Sequence, residues 1–469
     1  MHVCLLHTPP TQTRSPDRIP LRAPRQANNQ WELDEAISDD PGKTSFHRAL
    51  KLSQGTLAVL DKAGTIFTRI WCCYEAHVSL VTSKPVSDAG SEPPCAACLA
   101  PALRLSSQWM RPAKHARASE PRLCQGYLFD VYTSLGSGRG VGLTDGMAVC
   151  DILNATPGQT KKTREDKFPL ELAHRSLSTT LEVAKASVES DRIHILNKMA
   201  GMENLNAAPP ETHIRYDDLN GTLRSRFAAG SIVRAFSAGD KPENVAMQQQ
   251  MIKCLGDGTL RHLDLNFDSC WNFTEESARQ LAQHMPRGLG QMTLRLNGHG
   301  DAFMHQLCMQ YRLYGGMEKL SSLDFEGNGL SARGVLEISK TMKSKFLMNM
   351  ANLKLDKNHI DDMDMVTLCR AFATGALPYL AFLSLEENKI GDKGMQALAK
   401  LIKDKDMLPN LDRLMLRGNP AFKLYTDQVF RELKARGRGL KQSSAVEEAG
   451  SSEKADQRKA ARVWEPAAS

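Results

Sequence analysis

Two sets of side chains in this 469-residue sequence have types and spacings suited to chemistry. The first lies in FTRIWCCYEA, residues 67–76, where Trp71, Cys72 and Glu75 fall within about a turn and a half of an expected helix. A carboxylate presented there could face a positive charge that develops during bond cleavage, and stabilise it. The same spacing also suits core filling, the commonest use of Trp and Cys on a helix. The second set is a row of charges at intervals of 30 or 31 residues: Arg295, Glu326, Asp356, Glu386 and Arg417. A third arrangement, Cys95 and Cys98 in EPPCAACLAP, has the spacing of half a zinc site. It meets no second CxxC or HxxxH, and Cys124 alone does not complete four ligands, so neither a metal nor another cofactor is expected.

The charge row belongs to a repeat. LRHLDLNFD (260–268), LGQMTLRLN (289–297), LSSLDFEGN (320–328), MANLKLDKN (350–358), LAFLSLEEN (380–388) and LDRLMLRGN (411–419) share the template LxxLxLxxN and recur every 29 to 31 residues. The LxL centre is a short strand with alternate side chains pointing inward. Five of the six copies end in Asn, whose amide can satisfy backbone groups where the strand bends away; the first copy has Asp268. Amphipathic helices lie between, such as GDKGMQALAKLIKDK (391–405) with Met395, Leu398, Ala399 and Ile402 on one face. One strand and one helix cannot bury their own apolar faces, so the units are expected to stack into a solenoid.

This region, roughly 255–437, resembles the leucine-rich repeats of the ribonuclease-inhibitor type, and NKIGDKGMQALAKLI fits that subtype's consensus. The resemblance implies a horseshoe with strands inside and helices outside. Positions three, five and seven of each copy then project from the concave sheet. Glu326, Asp356 and Glu386, with Asp324 beside them and Arg295 and Arg417 at the ends, form a strip that would dock a basic protein partner. Phe382 is the expected exposed aromatic anchor on that face. Stacked like charges cost stability, which a partner would offset. GTPase-activating proteins for nuclear-transport GTPases share the subtype, and such an activity is an alternative that the resemblance implies.

Residues 55–80 resemble a segment of Toll/interleukin-receptor (TIR) domains, in which a short strand precedes a helix opening with [ST]xxWCxxE. LAVLD supplies the strand, and Thr68, Trp71, Cys72 and Glu75 occupy the motif. In NAD-cleaving members of that family this glutamate is catalytic. Glu75 would then hold the ribose hydroxyl and stabilise the cation formed as nicotinamide leaves. ANNQWELDEAISDDPGKTSF, GYLFDVY and DRIHILNKMAG are similar to segments of uncharacterised algal and other protist proteins. The residues ahead, 1–26, are Pro-rich and do not read as a first strand, and GSGRGVG (136–142) reads as a loop, so the module is expected to be incomplete.

The expected organisation is α/β throughout. Residues 1–26 are disordered; 27–80 and 124–201 form the partial TIR-like module around a low-complexity insertion, 81–123. Residues 202–240 are a linker, 241–437 the leucine-rich-repeat domain, and 438–469 a disordered tail. Strands are expected at 55–61 and 126–135, and helices at 68–80, 168–186 and 189–201. The net charge of +7 is modest and sits largely in the ends, which argues against nucleic-acid binding. No signal peptide or membrane-length apolar run is visible, and eleven scattered cysteines fit reduced thiols, so a cytoplasmic setting is expected. The function expected is a scaffold or regulatory sensor that binds another protein, with NAD cleavage by Glu75 as the enzymatic alternative.

Overall fold

The computed structural model describes residues 40–44, 47, 50, 55–81, 128–134, 140–143, 165–315, 318–344 and 347–436. The segments expected to be disordered, most of the expected insertion, and Cys95, Cys98 and Cys124 lie outside the described residues.

The N-terminal part is built on a three-stranded sheet. Strand β1 (Gly55–Leu60) pairs in parallel with β2 (Leu128–Ser134), and β2 pairs antiparallel with β3 (Gly140–Leu143). β3 lies partly within the glycine-rich stretch read as a loop. The strand tolerates its glycines because Gly142 sits hard against Tyr132: a Cβ there would come within 2.9 Å of the ring and of the Val131 carbonyl. Helix α1 (Ile70–Val81) follows a short 3₁₀ turn, Thr65–Thr68, and buries Ile70, Cys73, Tyr74 and Ala76.

The helix expected over 168–186 is shorter than its apolar pattern implied. α2 spans Leu170–Ser176, and after it come a turn and the 3₁₀ segment Leu181–Val183. Ser178 breaks the run locally, its hydroxyl donating to the Arg175 carbonyl at 2.8 Å. α3 (Glu189–Ala200) forms where expected.

Residues 202–240, expected as a linker, carry two helices, α4 (Ile214–Ala229) and α5 (Ile232–Ser237). Their Tyr216, Leu219, Leu223, Phe227, Ile232 and Phe236 are buried. They and α6 (Pro242–Leu255), which starts with proline at its first turn, join the two parts into one continuous apolar core.

From there the chain alternates strand and helix. Strands β4 (His262–Asn266), β5 (Gln291–Arg295), β6 (Ser322–Asp324), β7 (Asn352–Lys354), β8 (Phe382–Ser384) and β9 (Arg413–Met415) pair in parallel, in sequence order. Helices α7 (Glu275–Gln283), α8 (Gly300–Tyr314), α9 (Ala332–Lys343), α10 (Asp362–Phe372), α11 (Asp392–Lys403) and α12 (Lys423–Ala435) pack side by side, each against the next. The register is the one the template dictates. Leu263, Met292, Leu323, Leu353, Leu383 and Leu414 stand opposite one another and are all buried.

Acidic side chains tie helix to helix. Asp301 accepts the main-chain N–H of Ser331 and Gly334 at the start of α9. Asp362 does the same for Gly391 and Gly394 at the start of α11, and Asp392 for Phe422 before α12. α10 instead caps itself, Asp361 and Asp364 forming a reciprocal box. Each carboxylate meets N–H groups that a helix start leaves open.

Candidate functional site

Arg295 ends β5, and Glu326, Asp356, Glu386 and Arg417 each lie two residues beyond the ends of β6, β7, β8 and β9, so the charge row runs along one end of the parallel sheet. At its Arg295 end the row is part of a lattice of alternating sign. Arg295 donates from one nitrogen to Asp324 at 3.0 Å and from the other to Glu326 at 2.9 Å. Lys354 reaches the second oxygen of Asp324 at 3.2 Å, and Lys357 the second oxygen of Glu326 at 2.8 Å. Burial pushes the Asp324 carboxyl up, but Arg295, Lys354 and the Glu326 amide outweigh it and hold the group below the usual carboxylate range.

The balance fails further along. Asp356 is nearly buried and accepts the Ser384 hydroxyl at 2.5 Å and the Glu386 main-chain N–H at 2.6 Å. No cation ion-pairs with it among the described residues. Burial raises its pKa, the Ser384 and Glu386 donors offset part of that, and the Glu326 and Asp324 charges add to it. Glu386 is raised too, by burial and by Asp356, with Arg417 opposing. Asp356 and Glu386 are therefore the residual negative focus of the face.

Phe382, expected to be exposed, is half-buried and covered by Arg413, whose guanidinium carbon lies 4.8 Å from the ring centroid. The cation occupies the ring face that a partner would otherwise use. Lys354, at a position the charge row did not include, belongs to the lattice through Asp324, and Arg413, at another such position, stacks on Phe382. Their signal was legible in the third and fifth template positions of neighbouring copies.

Glu75 sits in α1, 8% exposed. Burial pushes its carboxyl up to about 8, opposed by Arg69. Trp71 is fixed by its indole N–H donating to Asp191 at 3.1 Å, and Tyr74 meets it edge-on. Burial pushes the Cys72 thiol up to about 11, so it is not a poised nucleophile. His77, one turn from Tyr74, is held down at about 4 by burial and by Arg215.

The family model described as Leucine Rich repeat matches residues 376–399, which span the fifth strand copy and the start of α11. The match supports a leucine-rich-repeat protein. A search of curated proteins returns no match. Among the described residues no helix is long and apolar enough to cross a membrane.

Proposed function

We propose that this chain is a protein-binding solenoid of the ribonuclease-inhibitor subtype, which docks a Lys- or Arg-bearing segment of its partner across the exposed sheet face. The observation that carries the reading is the unbalanced pair Asp356 and Glu386 beside a neutralised lattice. A partner cation placed there would meet two carboxyl groups that form no ion pair among the described residues, Glu386 being only partly offset by Arg417 and Lys357. Arg295, Asp324, Glu326, Arg413 with Phe382, and Arg417 form the surrounding frame that sets register, since an incoming cation is repelled wherever the lattice is already positive. The role is that of a scaffold or regulatory subunit.

A nucleotide-cleaving role for Glu75, in a TIR-like module, needs the ionised form at neutral pH. Burial raises the Glu75 carboxyl to about 8, which disfavours that form. The GTPase-activating role of proteins with this repeat subtype rests on fold alone, which does not carry function.

The test is titration of a labelled Arg- and Lys-rich peptide against the full chain and two charge reversals. Glu386→Lys is expected to weaken the peptide roughly tenfold or more, as loss of a desolvated charge contact does. Arg417→Glu is expected to strengthen it. Equal affinities across the three proteins would discard the docking strip.

A further inference from the structure

Away from the sheet face, a groove of about 200 Å³ opens between the start of α1 and the segment before α3. Arg69, Trp71, Lys185, Ala186 and Ser187 line it. Its two bases are set side by side by the backbone. Ile70 N–H donates to the Lys185 carbonyl at 3.0 Å and Lys185 N–H to the Thr68 carbonyl at 2.8 Å, which makes Arg69 and Lys185 partners in a parallel bridge.

Like charges opposite each other on paired strands repel. Both side chains are exposed, and neither head group hydrogen-bonds or ion-pairs among the described residues. The third wall is rigid, because Asp191 and Tyr74 hold the Trp71 ring from its edge and its side. The groove thus combines two adjacent cations without an ion pair among the described residues, an indole whose N–H is held by Asp191, and a hydroxyl.

We propose that this groove binds a small phosphomonoester that carries a flat ring, with the phosphate between Arg69 and Lys185 and the ring against Trp71. A phosphomonoester carries about two negative charges at neutral pH, which matches the two cations. The Arg69 fork suits two phosphate oxygens at once, and Lys185 adds a point charge. The indole offers a flat apolar surface to the ring. Asp191, at the indole N–H edge, repels an anion from that side and so orients the phosphate toward the bases.

The experiment is calorimetric titration of the full chain at low salt with phenyl phosphate, inorganic phosphate and phenol. Phenyl phosphate is expected to bind with a Kd of about 1 mM or tighter, inorganic phosphate several-fold more weakly, and phenol not measurably. The Arg69→Met, Lys185→Met double variant changes only exposed side chains. With its circular dichroism spectrum unchanged, it is expected to bind phenyl phosphate at least tenfold more weakly. Trp71→Leu is expected to bring phenyl phosphate down to the level of inorganic phosphate. Absence of binding by the parent chain, or equal affinity in the double variant, overturns the site. Equal affinity for the two phosphates in the parent overturns the ring contact. The readout is independent of the acidic face, so failure here leaves the peptide-docking test untouched.

Discussion

Asn358 accepts the main-chain N–H of Asn328 at 3.1 Å, so the ninth residue of one repeat is bonded directly to its counterpart in the repeat before. Asn358 also accepts Leu330 N–H at 2.8 Å, and its amide nitrogen donates to the carbonyls of Phe325, Leu355 and Asp356. Asn328, Asn388 and Asn419 likewise accept a main-chain N–H from the repeat before and donate to one of its carbonyls. Asn297 does not. It is exposed, adopts a φ of 50° and makes one long contact with the Cys270 carbonyl.

The same template position should therefore cost very different amounts on mutation. Asn358→Ala strands several buried backbone groups and is expected to lose about 3 kcal/mol. Asn297→Ala is expected to stay within about 0.5 kcal/mol of the parent. Urea unfolding midpoints of the two variants measure the contrast. Similar shifts for both would mean that the ladder is not what holds the turns.

Glu75 and His77 of α1 have opposite pH signatures. Glu75 has a folded pKa of about 8, against an ordinary value of 4.5. Between these values the unfolded chain has lost the proton and the folded chain has not, so stability falls as pH rises through that window. His77 has a folded pKa of about 4, against an ordinary 6.5. There the unfolded chain holds the extra proton, so stability rises with pH across that window and is lost in acid.

The two slopes oppose each other in mildly acidic solution, and only the Glu75 slope remains above the ordinary histidine value. Glu75→Gln should abolish the fall toward about pH 8 and raise stability at neutral pH by something on the order of 3 kcal/mol. Unfolding midpoints across pH for the parent chain and this variant decide it. Parallel curves would show that the Glu75 carboxyl is not held protonated by burial.

Gly221 of α4 lets the main chain after α6 approach closely. A Cβ there would lie 2.2 Å from the Asp257 carbonyl oxygen. Backbone cannot swing aside as a side chain can, so Gly221→Ala is expected to destabilise by about 1–3 kcal/mol despite its better helix propensity. Thermal unfolding of the variant checks this, and a gain in Tm would contradict the contact.

The same residue shows why part of the fold was hidden. α4 turns Asn220, Gly221 and Ser225 inward, where an apolar pattern would place Leu or Ala. Asn220 accepts the Leu181 N–H, and Ser225 donates toward the Cys254 and Leu255 carbonyls. Polar groups that serve specific backbone partners break the 3.6-residue period, so 202–240 read as a linker. The repeats were legible because each copy restates the period, and register follows once Leu263, Leu323, Leu353, Leu383 and Leu414 are aligned. Charge types on the sheet face were legible for the same reason. Their pairing was not, because Arg295 reaches two residues on the neighbouring copy and Arg413 leans over Phe382, which depends on side-chain directions that spacing does not encode.

Asp356 and Glu386 give the proposed docking face its own pH dependence. Both carboxyl groups are raised, Asp356 by burial and by the Glu326 and Asp324 charges and Glu386 by burial and by the Asp356 charge, whereas Asp324 is lowered by Arg295 and Lys354 despite burial. A bound cation favours the ionised form, so binding must pull the raised values down and release protons. Peptide affinity is then expected to weaken as pH falls through the raised values, at a pH where Asp324 and its lattice remain charged. Glu386→Gln should flatten that profile while weakening binding at neutral pH. Lys354→Met, which acts on Asp324 instead, should leave the midpoint of the profile nearly where it was. Affinities of the labelled peptide from about pH 7 down to about pH 4 separate these outcomes, and a midpoint that moves with Lys354 but not with Glu386 would place the docking carboxylates elsewhere on the face.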